Sequence, residues 1–347
     1  MQSIRVGIVG LGANTRLRHV PGLLGCPGVE IVGVCNRSEK STYEAAREFS
    51  IPKTYPRWQE LVADDQIDAV VVGTWPYLHR DVTLAGLQHG KHVLTEARMA
   101  RNLAEAREML DASRLHPDLV TQIVPSPFGL RGDRVVKELL SEGYLGQLRE
   151  IVLLGVNNAV ADPDSPLHWR QVAELNGLNT LALGILHETL IRWVPGPTRV
   201  FASAHTFVEQ RSDPEGGPLR PVESPDHLCV LTELPGGARG TYHLSGAVHF
   251  GPGMQIHLYG TEGTLKYQLA PEDRLIGARK QDQELRDIEI SPERAGGWRV
   301  EEEFVAAIRG EETVRFTDFE TGVRYMEFTE AVSRSAKQGT AVDVKVT

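Results

Sequence analysis

Over the first third of the chain, short apolar runs alternate with stretches rich in alanine and charge. Ile4 to Val9 is nearly continuous in apolar residues, Val29 to Val34 repeats the pattern, and Ile67 to Val72, Lys91 to Leu94 and Leu119 to Val124 follow it. Such runs, bounded by turns and lacking polar alternation, predict strands buried on both faces of a parallel sheet. Between them, Glu39 to Phe49, Leu78 to His89 and Leu103 to Arg114 have the composition of helices. Strand–helix alternation with short connections predicts an α/β, doubly wound parallel sheet of the Rossmann type over residues 1–124.

From Pro125 onward the pattern changes, with Pro125-Ser126-Pro127 marking the boundary. A helix is predicted over Asp133 to Glu142 and a strand over Leu148 to Val156. His227 to Leu234 and Ala238 to Ser245 flank Pro235-Gly236-Gly237. Met254 to Tyr259 and Thr264 to Leu269 flank Gly260-Thr261-Glu262-Gly263. Both pairs read as antiparallel hairpins. The four prolines and two glycines between Arg211 and Pro225 predict an irregular loop. Glu272 to Glu293 reads as a charged, solvated hairpin or excursion, and helices are predicted over Val300 to Arg309 and Phe319 to Lys337. Residues 125–347 are therefore expected to form an α+β domain on a mostly antiparallel sheet.

Composition narrows the classes of function. The 347 residues are 41% hydrophobic and 24% charged, with a formal net charge of −9. That is soluble globular composition, and an acidic chain lacks the basic footprint of a nucleic-acid or acidic-membrane binder. No run approaches the roughly 18 apolar residues of a membrane span, and no secretory leader pattern opens the chain. The three cysteines, Cys26, Cys35 and Cys229, form no CxxC pair and no zinc-spaced cluster with histidine. A cytoplasmic protein without a metal is expected.

Gly10-Leu11-Gly12-Ala13-Asn14-Thr15 directly follows the first strand and opens the first helix. There Gly10 permits a tight turn and Gly12 lets backbone approach a pyrophosphate. Thr15 stands where the G-x-G-x-x-G fingerprint has its third glycine, so the motif is incomplete, and a ligand-free glycine turn is the competing reading. The second strand ends Cys35-Asn36-Arg37-Ser38, without the carboxylate that grips the ribose of NAD. Arg37 and Ser38 suit a 2′-phosphate, which favours NADP(H) over NAD(H), unless Arg37 simply points into solvent. No tyrosine has a lysine four residues on, and the GxxxxGK[ST], GxSxG and HExxH motifs are missing.

Thr74-Trp75-Pro76-Tyr77-Leu78-His79, followed by Ala85-Gly-Leu-Gln-His-Gly-Lys-His-Val-Leu-Thr-Glu96, resembles the TPNxxH…GKHVLxEKP stretch of the Gfo/Idh/MocA oxidoreductases. Ile256 to Leu265, Phe304 to Ile308 and Met326 to Val332 are similar to the hairpin and closing helices of that family. The resemblance implies a C-terminal domain with a large open sheet that binds substrate and mediates oligomerisation, as a homodimer or homotetramer. It also implies NAD(P) as cofactor and a small sugar, cyclitol or related hydroxyl or carbonyl compound as substrate. On the matching positions, Thr74, Trp75, His79, Glu96 and Ala97 are expected near the cofactor, with Trp169 and Arg170 near the nicotinamide or substrate. A structural role at a helix start fits His79 equally well, and a structural role fits Trp169 equally well. Asn157 ends a strand of the second domain and is expected to face the cleft.

Two departures bear on chemistry. The EKP of the family is here Glu96-Ala97-Arg98, so the lysine implied to assist proton transfer is absent. Arg98 stays protonated and cannot serve as a general base, but can neutralise charge. The DxGxHxxD helix of the family becomes Asn179 to Glu188, leaving His187 as the expected acid/base. A histidine packed between Leu183 and Ile191 fits the same spacing equally well. An NADP(H)-preferring oxidoreductase using His187 and Arg98 is the leading expectation. A nicotinamide-binding sensor or partner subunit without turnover, or a lyase or hydrolase that uses the cofactor transiently, are the alternatives.

Overall fold

The computed structural model describes residues 3–125 and 130–345. It forms two compact units: the chain up to Pro125 joined by Arg299–Val323, and the chain from there to Trp298 joined by the residues from Arg324 on. The sequence division at 124/125 thus misses that 299–323 return to the first unit. Ser126 and Pro127, part of the predicted boundary, lie outside the described residues.

In the first unit, β1 (Ile4–Val9), β2 (Val29–Cys35), β3 (Lys53–Thr54), β4 (Ala69–Val72), β5 (His92–Thr95) and β6 (Thr121–Ile123) form one sheet. Its order is β3-β2-β1-β4-β5-β6, and every neighbouring pair is parallel. All four residues of β4 are buried, as an apolar run covered on both faces must be. The helices α1 (Val20–Gly25), α2 (Glu39–Glu48), α3 (Trp58–Val62), α4 (His79–Gln88) and α5 (Leu103–Leu115) connect the strands. The returning segment adds α9 (Val300–Ile308). Strand order reverses between β1 and β4, and a doubly wound sheet opens a crevice at the carboxyl ends of the strands flanking such a switch.

The second unit holds a nine-stranded sheet. Its strands are β7 (Leu148–Val156), β8 (Arg199–His205), β11 (His227–Glu233), β12 (Arg239–Ser245), β13 (Gly253–Gly260), β14 (Gly263–Ala270), β15 (Arg274–Arg279), β16 (Arg286–Asp287) and β17 (Val342–Asp343). They run in the order β16-β15-β14-β13-β7-β12-β11-β8-β17. Neighbours are antiparallel except β7 and β12, which are parallel. Along β11, Leu228, Val230 and Thr232 are buried while the residues between them are not, the period-two signature of a sheet with one covered face. The core contains Leu183, Leu186 and Leu190 of α8 (Leu183–Ile191) together with Tyr242 and Phe328. α6 (Asp133–Ser141), α7 (Ala173–Asn176) and α10 (Phe319–Gln338) are the remaining helices.

Strands form both in the proline-rich stretch, predicted to be an irregular loop, and in the charged stretch, predicted to be a hairpin or an excursion. The proline-rich loop contains the hairpin of β9 (Gln210–Ser212) and β10 (Leu219–Pro221). The charged excursion supplies β15 and β16 at one edge of the large sheet.

Candidate active site

The turn after β1 is built by close packing. Gly10 has φ +86°, and a Cβ there would lie 2.7 Å from Thr74 Cγ2 and 2.8 Å from Thr74 N. A Cβ on Gly73 would fall 2.2 Å from both Gly10 O and Thr15 Oγ1. Glycine is obligatory at both positions for the fold itself. Gly12 differs: it is exposed, and a Cβ there would meet nothing nearer than Gly73 O at 3.7 Å. The protein does not need glycine at position 12, whereas a ligand crossing the turn would. Asn36 fixes the turn from the next strand, with Oδ1 accepting from Leu11 N at 2.6 Å and Nδ2 donating to Ser41 O at 2.9 Å. Thr15 is buried, and its hydroxyl donates to Gly10 O at 3.2 Å, so it braces the turn from inside. Ala13 is exposed and Asn14 half-buried on the same turn.

This turn opens onto a cavity of about 540 Å³ bounded by the ends of β1, β2 and β4. That is the size of a small-molecule site. Gly10, Gly12, Asn36, Arg37, Thr74 and Trp75 line it. So do Ser41, Arg57, Trp58 and Tyr77, which the sequence did not single out. The Arg37 guanidinium lies 5.8 Å from the centre of the Trp75 ring, a cation–π distance that holds the charge over the cavity. No carboxylate is among the lining residues. Ser38 plays another part: it is the N-cap of α2, its hydroxyl accepting from Ser41 N at 3.2 Å. The serine that faces the cavity is Ser41, one helical turn on. Arg57 and Trp58 follow β3, a two-residue strand too short to leave a sequence signal.

The carboxyl end of β5 carries a buried charge cluster. Glu96 Oε1 accepts from Asn14 Nδ2 at 2.5 Å and lies 3.0 Å from His19 Nε2. The other ring nitrogen, His19 Nδ1, lies 2.5 Å from Glu301 Oε1. Burial alone would lower the pKa of His19, but hydrogen bonds to Glu301 and Glu96 outweigh it and raise it to about 9. Burial opposes ionisation of Glu96, yet His19 and Asn14 hold its pKa below the usual value. His19 is thus an imidazolium at neutral pH, held between the side chains of Glu96 and Glu301. No local pattern signals this cluster, because the partners stand 77 and 282 residues away. Ala97 N donates to Glu96 Oε2 at 3.3 Å.

His79 is fully buried, with Nδ1 2.9 Å from Arg98 O and Nε2 2.9 Å from Thr74 O. It ties the turn after β4 to the turn after β5 and offers no ring atom to a ligand. Arg98 is only 5% exposed.

His187 belongs to the second unit and lies in its core. It is 2% exposed, its ring stacks on Phe328 with centroids 3.6 Å apart, and Nδ1 is 3.0 Å from Tyr242 Oη. Burial lowers its pKa to about 3, so it is neutral throughout the physiological range. Of the two readings its spacing allowed, this geometry is that of the packed core histidine. Glu188 beside it forms a buried pair with Arg192, at 2.7 Å. Trp169 is half-buried in a short helical turn, and the exposed Arg170 folds back over its ring at 4.3 Å. Asn157 is exposed, its Oδ1 accepting from Ala159 N at 3.0 Å. The structure therefore brings Gly10, Gly12, Asn36, Arg37, Thr74 and Trp75 to one cavity, and leaves His187 outside it.

A switch-point crevice, a glycine turn open to the outside and an arginine-flanked cavity define a dinucleotide-binding α/β protein with an appended sheet domain. Two family patterns match the chain: "Oxidoreductase family, NAD-binding Rossmann fold" over residues 4–122, and "GFO/IDH/MocA C-terminal domain" over residues 134–266. The chain belongs to the Gfo/Idh/MocA oxidoreductase family, and NAD(P) is its cofactor class. It is similar to levoglucosan dehydrogenase of Pseudarthrobacter phenanthrenivorans, at 25% identity over 82% of this chain and 78% of that one. It is also similar to 1,5-anhydro-D-fructose reductase of Ensifer adhaerens, at 29% identity over 74% and 73%. Among solved structures, a levoglucosan dehydrogenase in complex with NADH and L-sorbose superposes with a TM-score of 0.86, at 22% identity over 99% of each chain, a likeness of fold.

Proposed function

We propose that this protein is an NADP(H)-preferring oxidoreductase acting on a secondary hydroxyl or carbonyl of a sugar-like polyol. The observation that carries the cofactor preference is the cavity wall at the end of β2: Arg37 and Arg57 with Ser41, and no carboxylate. Two guanidinium groups reward the 2′-phosphate of NADP(H), and no acidic group repels it. The bare outer face of Gly12 fits a pyrophosphate crossing the turn. The sugar-like substrate rests on the similarity to levoglucosan dehydrogenase and 1,5-anhydro-D-fructose reductase.

Bound nicotinamide supplies the two-electron redox chemistry. The residues of the chain then have to orient the ring and manage one proton. Arg37 and the turn at Gly12 would hold a dinucleotide, and Glu96 stands at the carboxyl end of β5. With alanine at position 97, the proton-handling group there is the Glu96–His19 pair. His19, protonated below about pH 9, can pass a proton through Glu96, which in turn protonates the carbonyl oxygen of the substrate during reduction. Arg98, largely buried, contributes positive charge near the same turn. His187 is left out of this scheme because its ring is enclosed by Phe328 and Tyr242.

The test is a panel of sugars, anhydrosugars and cyclitols with NADP⁺, and of the matching ketoses with NADPH, read at 340 nm. Turnover lost in Glu96→Gln with cofactor binding kept supports the reading. Cofactor binding with no turnover on either panel would instead favour a redox-silent binding protein.

A further inference from the structure

We infer that the second unit carries a transition-metal site formed by His227, Cys229 and His243, and that its ion is zinc. Sequence spacing conceals the cluster because its members come from two strands. His227 and Cys229 are two residues apart on β11 and so project from the same face. The antiparallel register sets Cys229 directly opposite His243 on β12. Their neighbours Leu228, Val230, Tyr242 and Leu244 are buried in the core, so the three ligand residues occupy the opposite face of the sheet. All three are half-buried in the single chain.

The donor geometry is close to that of a bound ion. One imidazole nitrogen or thiol sulfur from each residue lies within 4.8 Å of the others. Cys229 Sγ is 3.5 Å from His227 Nε2. Bonds of about 2.3 Å to sulfur and about 2.05 Å to nitrogen at a tetrahedral angle put two ligands of one zinc ion about 3.5 Å apart. That pair already has the required separation. The rings of His227 and His243 stand edge to face with centroids 5.5 Å apart, and a small χ rotation closes the third vertex.

Among the described residues no group outside the cluster hydrogen-bonds to these three side chains, and the His227 ring packs against Phe207 with centroids 6.0 Å apart. Cys229 is a free thiol, and His243 makes no side-chain hydrogen bond among the described residues. None lines the dinucleotide cavity, and the proposed proton path does not use them. One thiolate and two imidazoles select a borderline, tetrahedral ion and give calcium or magnesium none of the oxygen ligands they require. His205, opposite His227 on β8, packs its ring edge-on against Phe207 instead, so the fourth position of the ion falls to water.

Cobalt(II) is the probe, because a thiolate ligand gives it a charge-transfer band in the near ultraviolet and tetrahedral coordination gives it intense visible bands. The full chain, stripped with chelator, is titrated with Co²⁺ and then back-titrated with Zn²⁺. The site predicts one Co²⁺ per chain with both features, displaced by one equivalent of Zn²⁺. Cys229→Ser should abolish the charge-transfer band and weaken Zn²⁺ at least about 100-fold, beyond the 10–100-fold typical of losing an outer-sphere partner. His243→Asn, a second variant at a half-buried position, should weaken it at least about tenfold. A Cys26→Ser/Cys35→Ser chain should bind as the parent does. Absence of the charge-transfer band, its survival in Cys229→Ser, or Zn²⁺ affinity unmoved by both site substitutions would overturn the assignment.

Discussion

Gly12→Ala separates a glycine kept for a ligand from one kept for the fold. A Cβ at this exposed position finds 3.7 Å of clearance to Gly73 O, and the backbone of Gly12 lies outside the left-handed region. Alanine therefore fits the free protein, and the loss of chain entropy in the unfolded state should leave stability unchanged or raise it by up to about 1 kcal/mol. The same methyl group occupies the path of a pyrophosphate. It prevents at least one backbone N–H from reaching a phosphate oxygen, and a hydrogen bond to a charged group is worth about 1.5–3 kcal/mol. The expected effect is a rise in Kd of about 10- to 150-fold for either nicotinamide cofactor. Denaturant unfolding and cofactor fluorescence titration measure the two quantities on the same preparation. Gly73→Ala is the contrast, since its Cβ would overlap Gly10 O and Thr15 Oγ1 and the fold itself should suffer. An unchanged Kd in folded Gly12→Ala, or a stability loss of more than about 1 kcal/mol, would refute the reasoning.

Other consequences follow from charge and burial. The pKa of His19 is about 9 in the folded chain against about 6.5 unfolded. Its protonation thus stabilises the native state fully below pH 6.5 and progressively less up to pH 9, by about 3 kcal/mol at most. Urea midpoints should fall across that window in the parent and stay flatter in His19→Gln. Substituting His187→Gln removes the stack on Phe328, which should cost about 1 kcal/mol while kcat stays within twofold; a collapse of kcat in folded variant would return His187 to the mechanism. Glu188→Gln leaves the buried Arg192 guanidinium without its paired charge and should destabilise by about 3–5 kcal/mol, measured by denaturant unfolding.

The Rossmann unit was legible because its signals are local. A buried strand announces itself by a run such as Ile4–Val9, and the turn after it by Gly10 and Gly12. Arg37 was found because it directly follows β2. What escaped depends on distance in sequence: β3 is two residues long, so Arg57 and Trp58 had no strand to be read from. Ser38 and Ser41 have the same chemistry, and only the cap geometry decides which one faces the cavity. His187 shows the limit of periodicity, since a histidine between Leu183 and Ile191 fits a cleft or a core alike until its surroundings are known. The His19–Glu96–Glu301 cluster and the return of 299–323 to the first unit are products of tertiary folding alone.

The proposed NADP(H) preference rests on Arg37 and Arg57 in the cavity wall beside the end of β2. Parallel fluorescence titrations of the parent and of Arg37→Asp with NADPH and NADH test it most directly. The parent should bind NADPH at least about tenfold tighter than NADH, and Arg37→Asp should lose or reverse this ratio while NADH affinity holds. Equal or tighter NADH binding by the parent, or a ratio unmoved by Arg37→Asp, would contradict it.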